Sequence, residues 1–448
     1  MNPAPTPTRL TPHRPHPGRW TTCLAATVTA LALTACTAGC APSAPTTPAG
    51  PPGSAPAARP HWTQTWGAAV QPPVDGDEDE PANWSKSGFR NHSVRQVVRV
   101  TASGSQVRLR LSNRYGTGPL KVDGAALARS AGGGVAWPGT TRRLTFGHTG
   151  TTVIPAGQET TSDPLPLATS PLEDLVITLR FAGRTGPATF HRVGLATSYR
   201  AAGDHLDDVL ATAYTQSSRA TYYLSGVDVL DSAGPARSTV VAFGDSLTDG
   251  VGTTPDAHNR YLDDLAERLI AARRDRSVVN RGIAGNMLLT DSPCFGEKGT
   301  TRFRREVLDR PDVRTAILEL GGNDIGVNWS RNPCLPPTRH PVTARQIADG
   351  YTSLVRAAHQ HGIKVVGTTV IPLRGYPGYS ARAERLRTEV NHWIRTSGTF
   401  DTVVDLDRAL ADPAHPDHPR PGYVFMDGLH PDDAGSHALA NAFGLDAL

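Results

Sequence analysis

Thr239-Val240-Val241-Ala242-Phe243-Gly244-Asp245-Ser246-Leu247-Thr248-Asp249-Gly250 is an apolar run that passes without a break into a short polar turn. The apolar part reads as a β-strand. Ser246 then falls past the carboxyl end of that strand and near the start of a helix, where open α/β sheets place their ligands. Gly244 and Gly250 on either side let the chain turn sharply and let a ligand approach the backbone.

The pattern that begins here continues to the C-terminus. Further strands are predicted at 277–280, 315–320, 364–370 and 402–405, with helices between them at 261–273, 301–308, 344–361 and 381–396 and a last one at about 432–443. Strands alternating with helices argue for a parallel sheet of βαβ units. Residues 236–448 are therefore expected to form a three-layer α/β/α domain.

Upstream of Asp231-Ser232-Ala233-Gly234-Pro235 the period changes to two. Residues 105–112 read S-Q-V-R-L-R-L-S, with Val107, Leu109 and Leu111 on one face and Arg108 and Arg110 on the other. Such alternation predicts an antiparallel sheet with one face in water. Strand candidates at 97–100, 175–181 and 222–229 are separated by turn-rich stretches at 114–119 and 132–134, and no convincing amphipathic helix interrupts them. Residues 61–235 are expected to be an all-β domain, a β-sandwich. Two folded units suit the length, since 448 residues exceed what one hydrophobic core usually serves.

Residues 1–40 read as an export signal, with Arg9, Arg14 and Arg19 ahead of an apolar run at 23–35 that is too short to be a confident membrane span. The run ends at Leu33-Thr34-Ala35-Cys36, which resembles the bacterial lipobox, so Cys36 is the lipidation candidate. Thr37-Ala38-Gly39-Cys40 is a poorer one, and plain secretion with cleavage nearby is the alternative. Residues 41–60 are a Pro/Ala-rich linker without the apolar periodicity that could repay ordering. The mature chain is expected outside the cytoplasm, secreted or held on an outer surface by its lipid, with no other membrane contact.

The net charge of +4 owes three arginines to the leader; the remainder has 42 basic and 41 acidic residues. A nucleic-acid partner is not indicated. Of five cysteines only Cys294 and Cys334 lie beyond the leader, and in an oxidising compartment they are natural disulfide partners. Closing that loop could contribute about 3 to 4 kcal/mol.

As a lone motif Gly244-Asp245-Ser246-Leu247 is weak. Three further blocks follow it in order: Asn280-Arg281-Gly282-Ile283-Ala284-Gly285-Asn286 after the second predicted strand, Gly321-Gly322-Asn323-Asp324 after the third, and Asp427-Gly428-Leu429-His430-Pro431 before the last helix. Together they resemble the SGNH (GDSL-type) hydrolases, whose four naming positions match Ser246, Gly285, Asn323 and His430. The resemblance covers about residues 237–448 and implies a carboxylic ester hydrolase.

A serine hydroxyl becomes a good nucleophile when a neighbouring base takes its proton, and His430 suits that task. Asp427, three residues earlier, can hold the other imidazole N–H and stabilise the imidazolium, completing a Ser246–His430–Asp427 triad. By the resemblance, the oxyanion hole is formed by the backbone N–H groups of Ser246 and Gly285 and the side-chain amide of Asn323. Singly, Gly285 could merely turn the chain and Asn323 could cap a helix. Thr248, Asp249 and Asn286 are candidates for substrate contact that the sequence leaves open. No cofactor or metal is expected, because His415-Pro416-Asp417-His418 lacks a third ligand.

Trp66-Gly67, Arg110-Leu111-Ser112-Asn113, Tyr115-Gly116 and Pro119-Leu120 look like the N-terminal region of actinobacterial exported XynE-like hydrolases. That resemblance suggests acylated carbohydrate, as in a polysaccharide, or small acyl esters as substrate. A lipase or lysophospholipase is the second reading, and a non-catalytic, cell-surface glycan-binding lipoprotein is a third from a different class.

Overall fold

Val240 and Ala242 of strand Ser238–Gly244 enter one hydrophobic core, while Val241 and Phe243 enter another. A strand with both faces apolar belongs in the interior of a parallel sheet covered by helices, and that is its place here. The computed structural model describes residues 61–76, 83–231, 237–326, 334 and 341–448. The predicted export segment, Cys36 and the whole of the linker lie outside the described residues.

The parallel sheet runs Arg276–Asn280, Ser238–Gly244, Val313–Glu319, Lys364–Thr368, Thr402–Val404 in space. Counted along the chain this is order 2-1-3-4-5. Helices Ala344–Gln360 and Ala381–Thr396 pack one face, with Phe303 and Val307 beside them. Helices Tyr261–Ala271 and Asp433–Ala442 pack the other. Helix starts follow local chemistry: Thr343 and Gln346 form a capping box, and the Ser380 hydroxyl accepts from Ala383 N–H at 3.1 Å.

Two predicted elements differ in detail. The 364–370 strand stops at Thr368, because Val370 N–H turns aside to donate to Asn391 Oδ1 at 2.8 Å. The 301–308 helix is Gly299–Phe303 followed by a π-helical turn, Arg304–Leu308, around the buried Glu306.

Upstream, two antiparallel sheets share a single core. One contains Trp62–Gly67, Leu224–Leu230, Gly104–Ser112 and Leu165–Thr169; the other is centred on Arg90–Arg99, Asp174–Arg184 and Gly124–Gly132. Val107, Leu109 and Leu111 are buried as their alternation requires. The opposite face is only partly open to water, where a wet face was expected. Arg108 and Arg110 both pair with the buried Asp228 at 3.0 Å, and the Arg110 guanidinium is covered, with Arg310 and Asp312 among the charges around it.

The all-β and α/β segments join within one compact unit. Gln64 N–H donates to Asp312 Oδ2 at 2.8 Å, Thr101 Oγ1 donates to Val278 C=O at 3.0 Å, and the buried Arg281 donates to Ala68 and Ser225 carbonyls. Arg281 also faces Glu306 at 3.4 Å.

Candidate active site

The three strand ends that lie side by side at the sheet's switch of direction carry Ser246, the Gly285 loop and Asn323, where such a topology leaves a crevice. Ser246 starts a one-turn helix, Ser246–Asp249, closed by Gly250 at φ +102°. Asp245 Oδ1 caps it by accepting from Leu247 N–H at 3.3 Å.

His430 comes from the loop before helix Asp433–Ala442. Its Nε2 lies 2.8 Å from Ser246 Oγ and its Nδ1 lies 2.5 Å from Asp427 Oδ2. Asp427 Oδ1 accepts from Leu429 N–H at 2.9 Å and His430 N–H at 3.0 Å, so the carboxylate is fixed before it meets the ring. Partial burial works against the Asp427 charge, but the hydrogen bond and charge of His430 and these two N–H groups outweigh it and hold the carboxyl down at about 2. An ionised Asp427 can only accept. The proton between them therefore sits on Nδ1, assigned from the partners, and Nε2 is left to accept from Ser246.

Asn323, in the short helix Gly322–Gly326, lines the same cleft as Ser246. Its Nδ2 lies 3.2 Å from Asp245 Oδ2 and 3.1 Å from Asn286 O, both long contacts. Among the described residues no protein group accepts from the backbone N–H of Ser246 or of Gly285. Gly285 has φ +77°, and a Cβ there would lie 2.5 Å from the Phe295 ring, so both conformation and space demand glycine.

The loop bearing Gly285 is held from several sides. Ala284 N–H donates to Asp249 Oδ2 at 2.8 Å, and Leu288 and Leu289 N–H donate to the two oxygens of Asp324 at 2.6 and 3.1 Å. The Asn286 amide donates to Phe295 and Glu297 carbonyls and its oxygen accepts from the buried Arg302. Thr248 donates to Glu319 Oε2 at 2.9 Å. Thr248, Asp249 and Asn286, candidates for substrate contact, are thus buried scaffold.

Glu319 and Asp245 form a buried carboxyl pair directly beneath Ser246 and Asn323. Burial raises both; the Asp245 charge raises Glu319 further, while a hydrogen bond from Glu319 works to keep Asp245 ionised. A neutral Glu319 beside a charged Asp245 lets Asp245 accept from Asn323 and orient it. Sequence reading missed this pair. The signal was an acid, Glu319, directly after the apolar run Ala316-Ile317-Leu318 of strand Val313–Glu319.

Beside Ser246 opens a cleft with about 500 Å3 of empty space, walled by Leu247, Val370, Ile371, Leu373, Tyr376 and Leu429. Immediately before Asp427 in the chain, Phe425 is half-exposed and Met426 is 91% exposed. Cys294 and Cys334 form a disulfide with Cα atoms 5.2 Å apart, tying the segment after Gly285 to the segment after Asn323. Ser292 Oγ adds a hydrogen bond to Cys334 O at 2.6 Å.

The model of the GDSL-like Lipase/Acylhydrolase family matches residues 242–438. The comparison with curated proteins found no match. Among solved structures, Est24, a carbohydrate acetylesterase from Sinorhizobium meliloti, is 19% identical with a TM-score of 0.36, covering 46% of this chain and 96% of that one. The native M. smegmatis aryl esterase is 20% identical with a TM-score of 0.36, covering 46% and 95%.

Proposed function

We propose that this carboxylic ester hydrolase, whose residues 242–438 carry the GDSL-like lipase/acylhydrolase domain, cleaves small acyl esters through an acyl-enzyme on Ser246. The observation that carries the reading is the chain Ser246 Oγ, His430 Nε2 and Nδ1, Asp427 Oδ2 at 2.8 and 2.5 Å, in the tautomer that makes His430 a base. As Ser246 attacks the carbonyl, His430 takes its proton and Asp427 stabilises the imidazolium. The carbonyl oxygen becomes an anion that the N–H groups of Ser246 and Gly285 and the Asn323 amide can meet. His430 then returns the proton to the departing alcohol, and water repeats the sequence to release the acid.

The apolar cleft suits the acyl group, and the resemblance of the N-terminal region to XynE-like exported hydrolases favours a carbohydrate on the alcohol side. With p-nitrophenyl esters of increasing acyl length and with acetylated polysaccharide, kcat/KM is expected to be highest for acetyl to butyryl esters and for the polysaccharide. A maximum at long chains that rises further on micelles would replace this reading by a lipase. The exposed apolar side chains of Phe425 and Met426, next to Asp427 in the chain, are the feature that favours that second reading.

Location is part of the proposal. The lipobox-like Leu33 to Cys36 supports a lipid-anchored protein on an outer surface. Cys36→Ser is expected to move the enzyme from the membrane fraction to the medium or to block its processing. Recovery of an unlipidated wild type whose N-terminus lies elsewhere would remove the anchor.

A further inference from the structure

His191, which belongs to the all-β segment, lies 5% exposed against the loop that follows the nucleophile. Its Nδ1 faces Ala69 O at 2.9 Å, and its Nε2 faces Val193 O at 3.1 Å and Asp249 Oδ1 at 2.9 Å. Every one of these partners is an acceptor. Both ring nitrogens must then donate, so the buried ring is an imidazolium paired with the Asp249 carboxylate. Asp249, 1% exposed, spends its other oxygen on Ala284 N–H at 2.8 Å, and Ala284 is followed by Gly285.

We propose that His191 is a positioning residue of the oxyanion hole, through which the all-β segment fixes Asp249, and Asp249 fixes the peptide that carries the Gly285 N–H. The inference rests on the reading of Ser246 and Gly285 given above. A donor aimed at developing charge works only if its direction is set before the charge appears. The Gly285 N–H has no side chain to aim it, so its direction is that of the backbone from Ala284 onward.

The surroundings agree. Asp256 N–H donates to Leu195 O at 2.8 Å, and Thr197 N–H and Oγ1 both donate to Asp256, so residues 191–197 clamp the loop between Ser246 and the next helix. On the far side of Gly285, Tyr115 and Arg114 of the all-β segment hold Glu297 at 3.0 and 3.2 Å, and the carbonyl of Glu297 receives the Asn286 amide. The oxyanion loop is thus gripped on both flanks by residues from outside the α/β domain.

The pair carries a sign in pH. Burial alone would expel the imidazolium, but the Asp249 carboxylate and the Ala69 and Val193 carbonyls outweigh it and raise His191 above its ordinary value. The other charges facing the pair are cations: Arg260, which lies on Asp263 at 2.7 Å, Arg99, on Glu267 at 3.0 Å, and the buried Arg302, whose charge meets Glu306 as well as Asp249. The support is therefore complete below the ordinary histidine range and is lost as pH rises through the raised value.

The test uses the full chain, with kcat and KM measured on p-nitrophenyl acetate and active serines counted with a fluorophosphonate. His191→Gln is expected to lower kcat per active serine about ten- to a hundredfold with KM changed little, as when a preorganised group is misplaced rather than removed. It should also abolish the wild type's fall in kcat at high pH, since glutamine has no proton to lose there. Asp249→Ala should cause a similar loss, the double variant with His191→Gln should fall no further than the worse single, and Asp249→Asn, which keeps one acceptor oxygen but not the charge, should recover only part of the activity. A purely structural His191 would lower the fraction of active serines and leave kcat per serine, at every pH, within about twofold of wild type; that result overturns the proposal. If His191→Gln is not recovered folded, Asp249→Ala with wild-type kcat per serine overturns it equally. Ser246→Ala is run alongside. If it retains hydrolysis the active-site reading itself fails, whereas a dead Ser246→Ala beside an unimpaired His191→Gln sinks the positioning role alone.

Discussion

Replacing Ser246 or His430 by alanine is expected to remove at least about a thousandfold of ester hydrolysis, about 4 kcal/mol of transition-state stabilisation, while the chain stays folded. The two residues act as a unit: Ser246 Oγ has His430 Nε2 as its partner at 2.8 Å, and without either member no proton leaves the nucleophile. The fold should tolerate both changes. Ser246→Ala removes one oxygen from a helix start that Asp245 still caps. His430→Ala leaves the loop its two backbone donors to Asp427. The losses should not add, since neither residue can do its work once the other is gone. kcat/KM on p-nitrophenyl acetate and thermal unfolding of the same preparations check this; near wild-type turnover in either folded variant would remove the triad.

The second large effect is expected at Asn323. Its amide acts on charge that exists only once the carbonyl is tetrahedral, so Asn323→Ala should lower kcat about a hundredfold to a thousandfold, roughly 2.7 to 4 kcal/mol, and alter KM only slightly. Without substrate the amide rests on Asp245 Oδ2 and Asn286 O at 3.2 and 3.1 Å. A full oxyanion is the stronger acceptor and can draw the amide from such long contacts. The competing idea is a structural asparagine whose loss costs about 0.5 to 2 kcal/mol of stability and nothing in rate per folded molecule. Measuring kcat and unfolding on one preparation separates the two, and lost stability with intact kcat would exclude Asn323 from the oxyanion hole.

Much of the α/β half was legible because its signals are local. Each parallel strand is an apolar run, each long helix has an amphipathic period, and the blocks around Ser246, Gly285, Asn323 and His430 stand at strand ends or just before a helix. Contiguous spacing even brought Asp427 to His430, three residues apart. The all-β half was read less well. Strands such as Trp62–Gly67 and Gly124–Gly132 lack strict alternation, because several polar side chains, Thr63, Gln64 and Thr65 among them, are buried. Arg110 read as a solvent-facing residue for the same reason: a sequence shows that a charge alternates, not that a partner such as Asp228 covers it. The buried supports of the site, Glu319 under Asp245 and His191 behind Asp249, join residues 58 or more positions apart. Spacing carries no trace of such pairings.

The base and its aspartate share one turn, but the serine they serve lies 184 residues away in sequence. Bringing those ends together requires the sheet, both helix layers and the final helix to be in place, and contacts of such separation form late because loop closure must precede them. A partly folded chain therefore holds an inert serine and an idle imidazole. Hydrolysis would switch on only once these parts have assembled, so that a polypeptide trapped short of its native state threatens no ester around it.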